Sequence, residues 1–96
     1  MKKYSLRIPP EIEAFVRHLH PGIKAKIRSA LEEIEKDPYL GKPLREPLEG
    51  MYSYRVYQYR IIYLIKDRDI LVEVVDIAQR RIVYARVAAM LRKIRY

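Results

Sequence analysis

The sequence predicts an α+β domain: a small antiparallel sheet packed against an N-terminal αα-hairpin, in the order β-α-α-β-β-β-α. Three observations predict it. Two stretches of helical apolar spacing lie between residues 11 and 36, parted only by HPG. Three alternating runs follow between about 51 and 77, with connections too short for a crossover, so they pair antiparallel. Helical spacing then returns after Arg80. Ninety-six residues make one domain, 1–96, without room for a second.

The elements follow in order. KKYSLRIP alternates as a first strand, with Tyr4, Leu6 and Ile8 on one face. PPEIEAFVRHLH starts a helix: Pro10 suits the first turn, and Glu11 and Glu13 sit where the helix dipole favours negative charge. Ile12, Phe15, Val16 and Leu19 form its apolar stripe. Pro21 and Gly22 break it. The second helix sets Ile23, Ile27, Leu31 and Ile34 on one face with Ala30 beside them, and Asp37-Pro38 ends it. PYLGKPLREPLEG is a loop, with Leu40, Leu44 and Leu48 expected to pin it to the core. The strands are expected at about 51–57, 59–66 and 70–77, with KDRD turning the last pair. In the tail RRIVYARVAAMLRKIRY, Val83, Val87, Met90 or Leu91, and Ile94 share a stripe.

The chain has no cysteine, hence no disulfide, thiolate metal site or cysteine nucleophile. His18 and His20 lack companion ligands for a metal. No apolar run nears the roughly 20 residues of a membrane span, and MKKYSLRIPP is no signal peptide; a cytoplasmic protein without metal or small-molecule cofactor is expected. Asn and Thr are absent, and ionic residues are abundant, a balance heat-adapted proteins favour. The net charge of +8 is uneven. Residues 1–50 carry ten Lys/Arg against eight Asp/Glu, and residues 51–96 carry ten against four. A field of that sign draws polyanions.

The stretch YSYRVYQYRIIY, Tyr52 to Tyr63, holds five tyrosines and two arginines. On alternation, Tyr52, Tyr54 and Val56 share one side, and Ser53, Arg55 and Tyr57 the other. In the next strand Arg60, Ile62, Leu64 and Lys66 oppose Tyr59, Ile61, Tyr63 and Ile65. Tyrosines with a polar tip and snorkelling arginines explain part of this. The helices cover only one face, so Arg55, Arg60, Arg80 and Tyr84 are expected to converge on the uncovered one. That set suits an RNA phosphodiester. Guanidinium groups grip phosphate and stabilise the charge of a pentavalent transition state. Tyrosine stacks on a base or exchanges a proton. Attack by the RNA 2′-hydroxyl needs orientation, proton transfer and charge stabilisation, with no metal.

The segment DPYLGKPLREPLEGMYSYRVYQYRIIYLIKDRDILVEVVDIAQRRIVY closely resembles the RelE/ParE superfamily of toxins from toxin–antitoxin systems. The resemblance runs through the helical hairpin to the final RRIVY, and the combination of GMYSYRV, YRIIY and RRIVY carries it. It implies a small antiparallel sheet backed by two N-terminal helices. For the RelE branch it implies a ribosome-dependent mRNA endonuclease, cutting in the A site by 2′-hydroxyl attack. Arg60 then matches the arginine that stabilises the scissile phosphate, Arg80 the arginine after the last strand, and Tyr84 the tyrosine that stacks or transfers a proton. Arg55, Arg81, Ser53 and Tyr57 complete the substrate-binding set. Gln79 stands where relatives often have His, and Ser53 where some have Lys. The ParE branch instead inhibits DNA gyrase without cutting RNA. A third reading is a binding protein that has lost catalysis. The implied partners are the ribosome, mRNA and a cognate antitoxin whose acidic, partly disordered segment folds across the toxin. The tail from Ile82 to Ile94 is either plain core or the place where that antitoxin packs.

Overall fold

The computed structural model describes residues 3–94. Strand β1 (Ser5–Arg7) leads to helices α1 (Pro10–Arg17) and α2 (Pro21–Lys36). A two-residue strand β2 (Lys42–Pro43) precedes β3 (Met51–Val56), β4 (Tyr59–Lys66) and β5 (Leu71–Gln79), and α3 (Arg80–Ile94) closes the chain. Lys2 of the expected first strand, and Arg95 and Tyr96 of the tail, lie outside the described residues, as does the side chain of Ile94.

Local chemistry sets the helix ends. Pro10 opens α1, and Glu11 and Glu13 occupy its first turn. The His20 ring nitrogen accepts the Gly22 N–H at 3.1 Å, which caps α2 in front of Pro21. Asp37 leaves the helical region, and its carboxylate accepts the Tyr39 N–H at 3.2 Å. Pro38 could not have continued the helix.

The sheet order is β1-β5-β4-β3-β2. β3, β4 and β5 pair antiparallel as expected, and β2, within the stretch expected to be a loop, adds an antiparallel pairing to β3 because the chain there runs along the β3 edge. β1 instead lies parallel to β5, Ser5 opposite Leu71 and Arg7 opposite Glu73, so the sheet is mixed. The hairpin returns the chain to the far side of the sheet before the meander begins, and a strand separated by that much chain is free to pair in either direction. A β-bulge interrupts β5. Tyr63 faces Val74 and Ile62 faces Asp76, which leaves Val75 as the extra residue.

Two cores result, one on each face. Between the hairpin and the sheet, Val16, Ile27, Leu31 and Ile34 pack against Ile61, Tyr63, Val72 and Ile77, with Tyr4, Leu6 and Ile8 at the margin. Tyr52 and Tyr54 join this face, as their alternation requires. On the other face, Val83 and Val87 of α3 pack against Ile62 and Ala78, with Leu48 and Met51 beside them. Each such fully buried side chain stabilises by roughly 2 kcal/mol. Within the tail stripe it is Leu91 that joins this core, while Met90 is 40% exposed. Of the three loop leucines, Leu48 is buried and Leu44 packs partly, but Leu40 stands exposed. The face expected to be open is therefore largely covered by α3, and the end beside the β3–β4 turn remains accessible.

Candidate functional site

That end is where the β3–β4 turn meets the start of α3. A hollow of about 560 Å³ lies there, lined by Arg55, Tyr57, Gln58, Arg60, Gln79, Arg80 and Arg81. Arg55 and Arg60 are opposite each other in the ladder, with Cβ atoms about 5 Å apart by the geometry of such pairs. Both side chains are held by the turn. Arg55 Nε donates to the Tyr57 carbonyl at 3.3 Å. Arg60 Nη1 donates to the same carbonyl at 3.2 Å and to that of Tyr59 at 3.0 Å. Tyr57 turns its carbonyl this way at a φ of 56°, a left-handed conformation that costs a residue with a Cβ about 1 kcal/mol.

The other two arginines come from α3. The Arg80 N–H donates to the Gln58 carbonyl at 2.9 Å, which fastens the helix start to the hairpin tip. Arg80 and Arg81 then fill the first turn, where no acidic residue lies. Cations at the N-terminal end oppose the helix dipole, and an anion seated among them offsets that. No carboxylate lines the hollow, and among the described residues none of the ion pairs involves these four arginines. The carboxylates of the last strand are spent elsewhere. Glu73 pairs with Arg7 at 3.0 Å and Lys66 at 3.3 Å. Burial pushes its pKa up, but those two cations outweigh burial and lower it. Asp76, almost fully buried, accepts two bonds from Arg86, at 2.6 and 2.9 Å.

The structure thus brings Arg55, Arg60, Arg80, Arg81 and Tyr57 together, but not Tyr84 or Ser53. Tyr84 turns inward beside the second core, and its hydroxyl hydrogen-bonds to Ser53 Oγ at 2.9 Å. Ser53 is buried and precedes Arg55 by two residues on the same face, roughly 7 Å along the strand. The Tyr84–Ser53 pair therefore sits one step below the arginines rather than among them. Gln79, noted in the sequence for standing where relatives often have His, lines the hollow, and so does Gln58, which sequence reasoning passed over. The placement of Gln58 at a two-residue hairpin tip was the available signal.

The phenols with raised pKa values lie outside the hollow. Tyr39 and Tyr4 both donate to the Asp67 carboxylate. That bond raises both pKa values, Tyr39 to about 12. Tyr63 is wholly buried, and burial pushes its pKa up to about 12. Among the described residues no group of His, Asp or Glu side chains is placed to hold a metal ion, and no helix is long and apolar enough to cross a membrane.

Known proteins share this plan. The family model for the ParE toxin of type II toxin–antitoxin systems matches residues 4–84. Toxin RelG of Mycobacterium tuberculosis is 31% identical over 85 residues, which span 86% of this chain and 98% of RelG. Toxin RelE of the same organism is 49% identical over 45 residues, 47% of this chain and only 46% of that protein. Among solved structures, the RelBE2 toxin–antitoxin complex of M. tuberculosis superposes with a TM-score of 0.74 at 29% identity, covering 83% of this chain and 94% of the matched one. A mutant E. coli RelE in the free state gives 0.73 over 94% and 97% of the two chains, and at 17% identity it speaks to the fold alone. By the family match and the near full-length likeness to RelG, this chain belongs to the ParE toxin family within the RelE/ParE superfamily, the toxins of type II toxin–antitoxin systems.

Proposed function

We propose that the chain is a ribosome-dependent endoribonuclease that cuts mRNA in the A site and so arrests translation in the cytoplasm. The observation that carries this reading is the hollow in which Arg55, Arg60, Arg80 and Arg81 gather without a carboxylate. Four unneutralised guanidinium groups in one concavity fit a phosphodiester, whose charge grows as the pentavalent transition state forms. In the reaction the ribose 2′-oxygen bonds to phosphorus and the bond to the 5′-oxygen breaks. A 2′,3′-cyclic phosphate and a 5′-hydroxyl result. The proton leaving the 2′-hydroxyl passes to water, and the 5′-oxygen takes one up. Arg60, held by two carbonyls, and Arg80 face the scissile phosphate. Arg55 and Arg81 hold the backbone, and Tyr57, 56% exposed, offers its ring to a base. Ser53 and Tyr84 position β3 against α3 beneath them. The site has no strong acid–base pair of its own, which is why the ribosome must supply alignment.

A type II toxin needs a neutralising antitoxin, and the toxin–antitoxin complexes among the structural relatives support such a partner. An acidic segment is the natural complement of a chain with net charge +8. The ParE name of the matching family supports a second reading, inhibition of DNA gyrase with mRNA left intact.

The test is a short induction of the chain without any partner, followed by primer extension on mRNA. New 5′ ends within codons are expected, with cleavage falling about a hundredfold in Arg60→Ala and Arg80→Ala. Intact mRNA together with blocked supercoiling by purified gyrase would overturn the nuclease reading in favour of the second. No growth arrest at all would leave a binding protein.

A further inference from the structure

A second hollow, of about 290 Å³, adjoins the first on the hairpin side of the sheet. Arg55 and Tyr57 line both. They form a shared wall, so a strand gripped in the arginine hollow meets the second one directly across Tyr57. Lys26, Ser29 and Glu33 of α2 make its far side, with Tyr54 of β3 opposite. These three helix residues are spaced by three and four, which puts them on one face. Lys26 Nζ stands 5.9 Å from the centroid of the Tyr57 ring. Among the described residues, no ion pair involves Lys26 or Glu33.

The two hollows differ in chemistry. The first holds only cations and neutral groups. The second combines aromatic surface with a hydroxyl and a carboxylate, beside the cations Arg55 and Lys26. Glu33 offsets part of the charge of Arg55 and Lys26 there, so the second hollow draws a phosphate less strongly than the first, which holds four guanidinium groups and no carboxylate. Aromatic rings take a nucleobase face-on, and a carboxylate accepts from base amino groups. We infer that this hollow is a base-reading subsite for the nucleotide next to the gripped phosphate, and that Glu33 selects bases bearing an exocyclic amino group against uracil. The inference rests on the phosphodiester reading of the arginine hollow. Cytosine, adenine and guanine each offer amino hydrogens to a carboxylate. Uracil presents one N–H flanked by two carbonyl oxygens, which face a carboxylate poorly.

Cytosine and uracil have rings of the same size, so comparing them isolates the amino group from stacking. The experiment measures fluorescence anisotropy of six-nucleotide 2′-O-methyl oligo-C and oligo-U, which lack the attacking hydroxyl, with the intact chain. Oligo-C is expected to bind about fivefold more tightly. Glu33→Gln, a conservative change at an exposed position, presents both a carbonyl and an amide N–H and should bring the ratio close to one. Arg60→Ala should weaken both oligonucleotides alike and keep the ratio. Equal binding of the two by the unaltered chain, with Arg60→Ala still weakening both, overturns the subsite and leaves the arginine hollow standing. Unchanged affinities in Arg60→Ala overturn the phosphodiester reading and the subsite with it.

Discussion

Arg55 and Arg60 face each other across the β3–β4 ladder and share one acceptor, the carbonyl oxygen of Tyr57. Like charges directly opposite on a sheet oppose folding. The pair is therefore kept at a cost to stability, which an anion between the two guanidinium groups relieves. Arg55→Thr is expected to stabilise the free chain by about 0.5 kcal/mol while weakening RNA binding. Urea denaturation with and without added phosphate checks it: phosphate should stabilise the unaltered chain more than the variant.

Tyr63 ties the loop after α2 to the sheet. Its hydroxyl donates to the Pro38 carbonyl at 2.6 Å and accepts the Gly41 N–H at 3.1 Å, all within buried surroundings. Tyr63→Phe strands two polar groups and should cost about 2 kcal/mol. Gly41→Ala should be at least as damaging, because its Cβ would come within 2.2 Å of the Tyr63 oxygen and 3.1 Å of the Ser53 carbonyl. Thermal denaturation of both variants decides this.

The same phenol gives the fold an alkaline limit. Its folded pKa, about 12, lies above the ordinary value of 10. The folded state thus holds its proton where the unfolded chain releases it. The stabilisation is complete below pH 10 and is lost as pH rises towards 12. Tyr63→Phe should flatten the part of the alkaline stability loss that this phenol supplies, seen by denaturation at pH 9, 10 and 11.

Arg86 fastens α3 to the bulged strand through the buried Asp76. Arg86→Ala leaves that carboxylate with only the Ile77 N–H at 2.9 Å. A loss of about 2 kcal/mol is expected, less than for a fully buried pair because Arg86 is half exposed. Asp76→Asn, which can still accept from Ile77, should cost less. Hydrogen exchange along α3 should rise more in the first variant than in the second.

Tyr84 hydrogen-bonds to Ser53 and does not line the arginine hollow, so we propose for it a positioning role rather than contact with substrate. Tyr84→Phe is expected to cost about 1 kcal/mol of stability and to leave oligonucleotide affinity within about twofold. A tenfold loss of affinity without loss of stability would return Tyr84 to the substrate side.

Much of this molecule is written in local sequence. The helical spacing of Ile27, Leu31 and Ile34, and the alternation that sends Tyr52 and Tyr54 one way and Arg55 the other, are properties of neighbouring residues. Backbone geometry converts them into faces without help from the rest of the chain. The arginines at residues 55, 60, 80 and 81 were legible as one set because each lies at an end of such an element. The parallel pairing of β1, the bulge at Val75 and the burial of Tyr84 were not. Each depends on which distant segment arrives beside it: β5 beside β1, β4 across from Val75, α3 over Ser53. In VEVVDI nothing local says that alternation slips by one residue, and that slip is what turns Asp76 towards Arg86. The sequence by itself determined the elements, their apolar faces and the charge gathered at one end. Only the tertiary structure decided that α3 closes the second face, that Tyr84 goes beneath the arginines, and that α2 brings Glu33 near them, because contacts between remote segments follow from packing the whole chain at once.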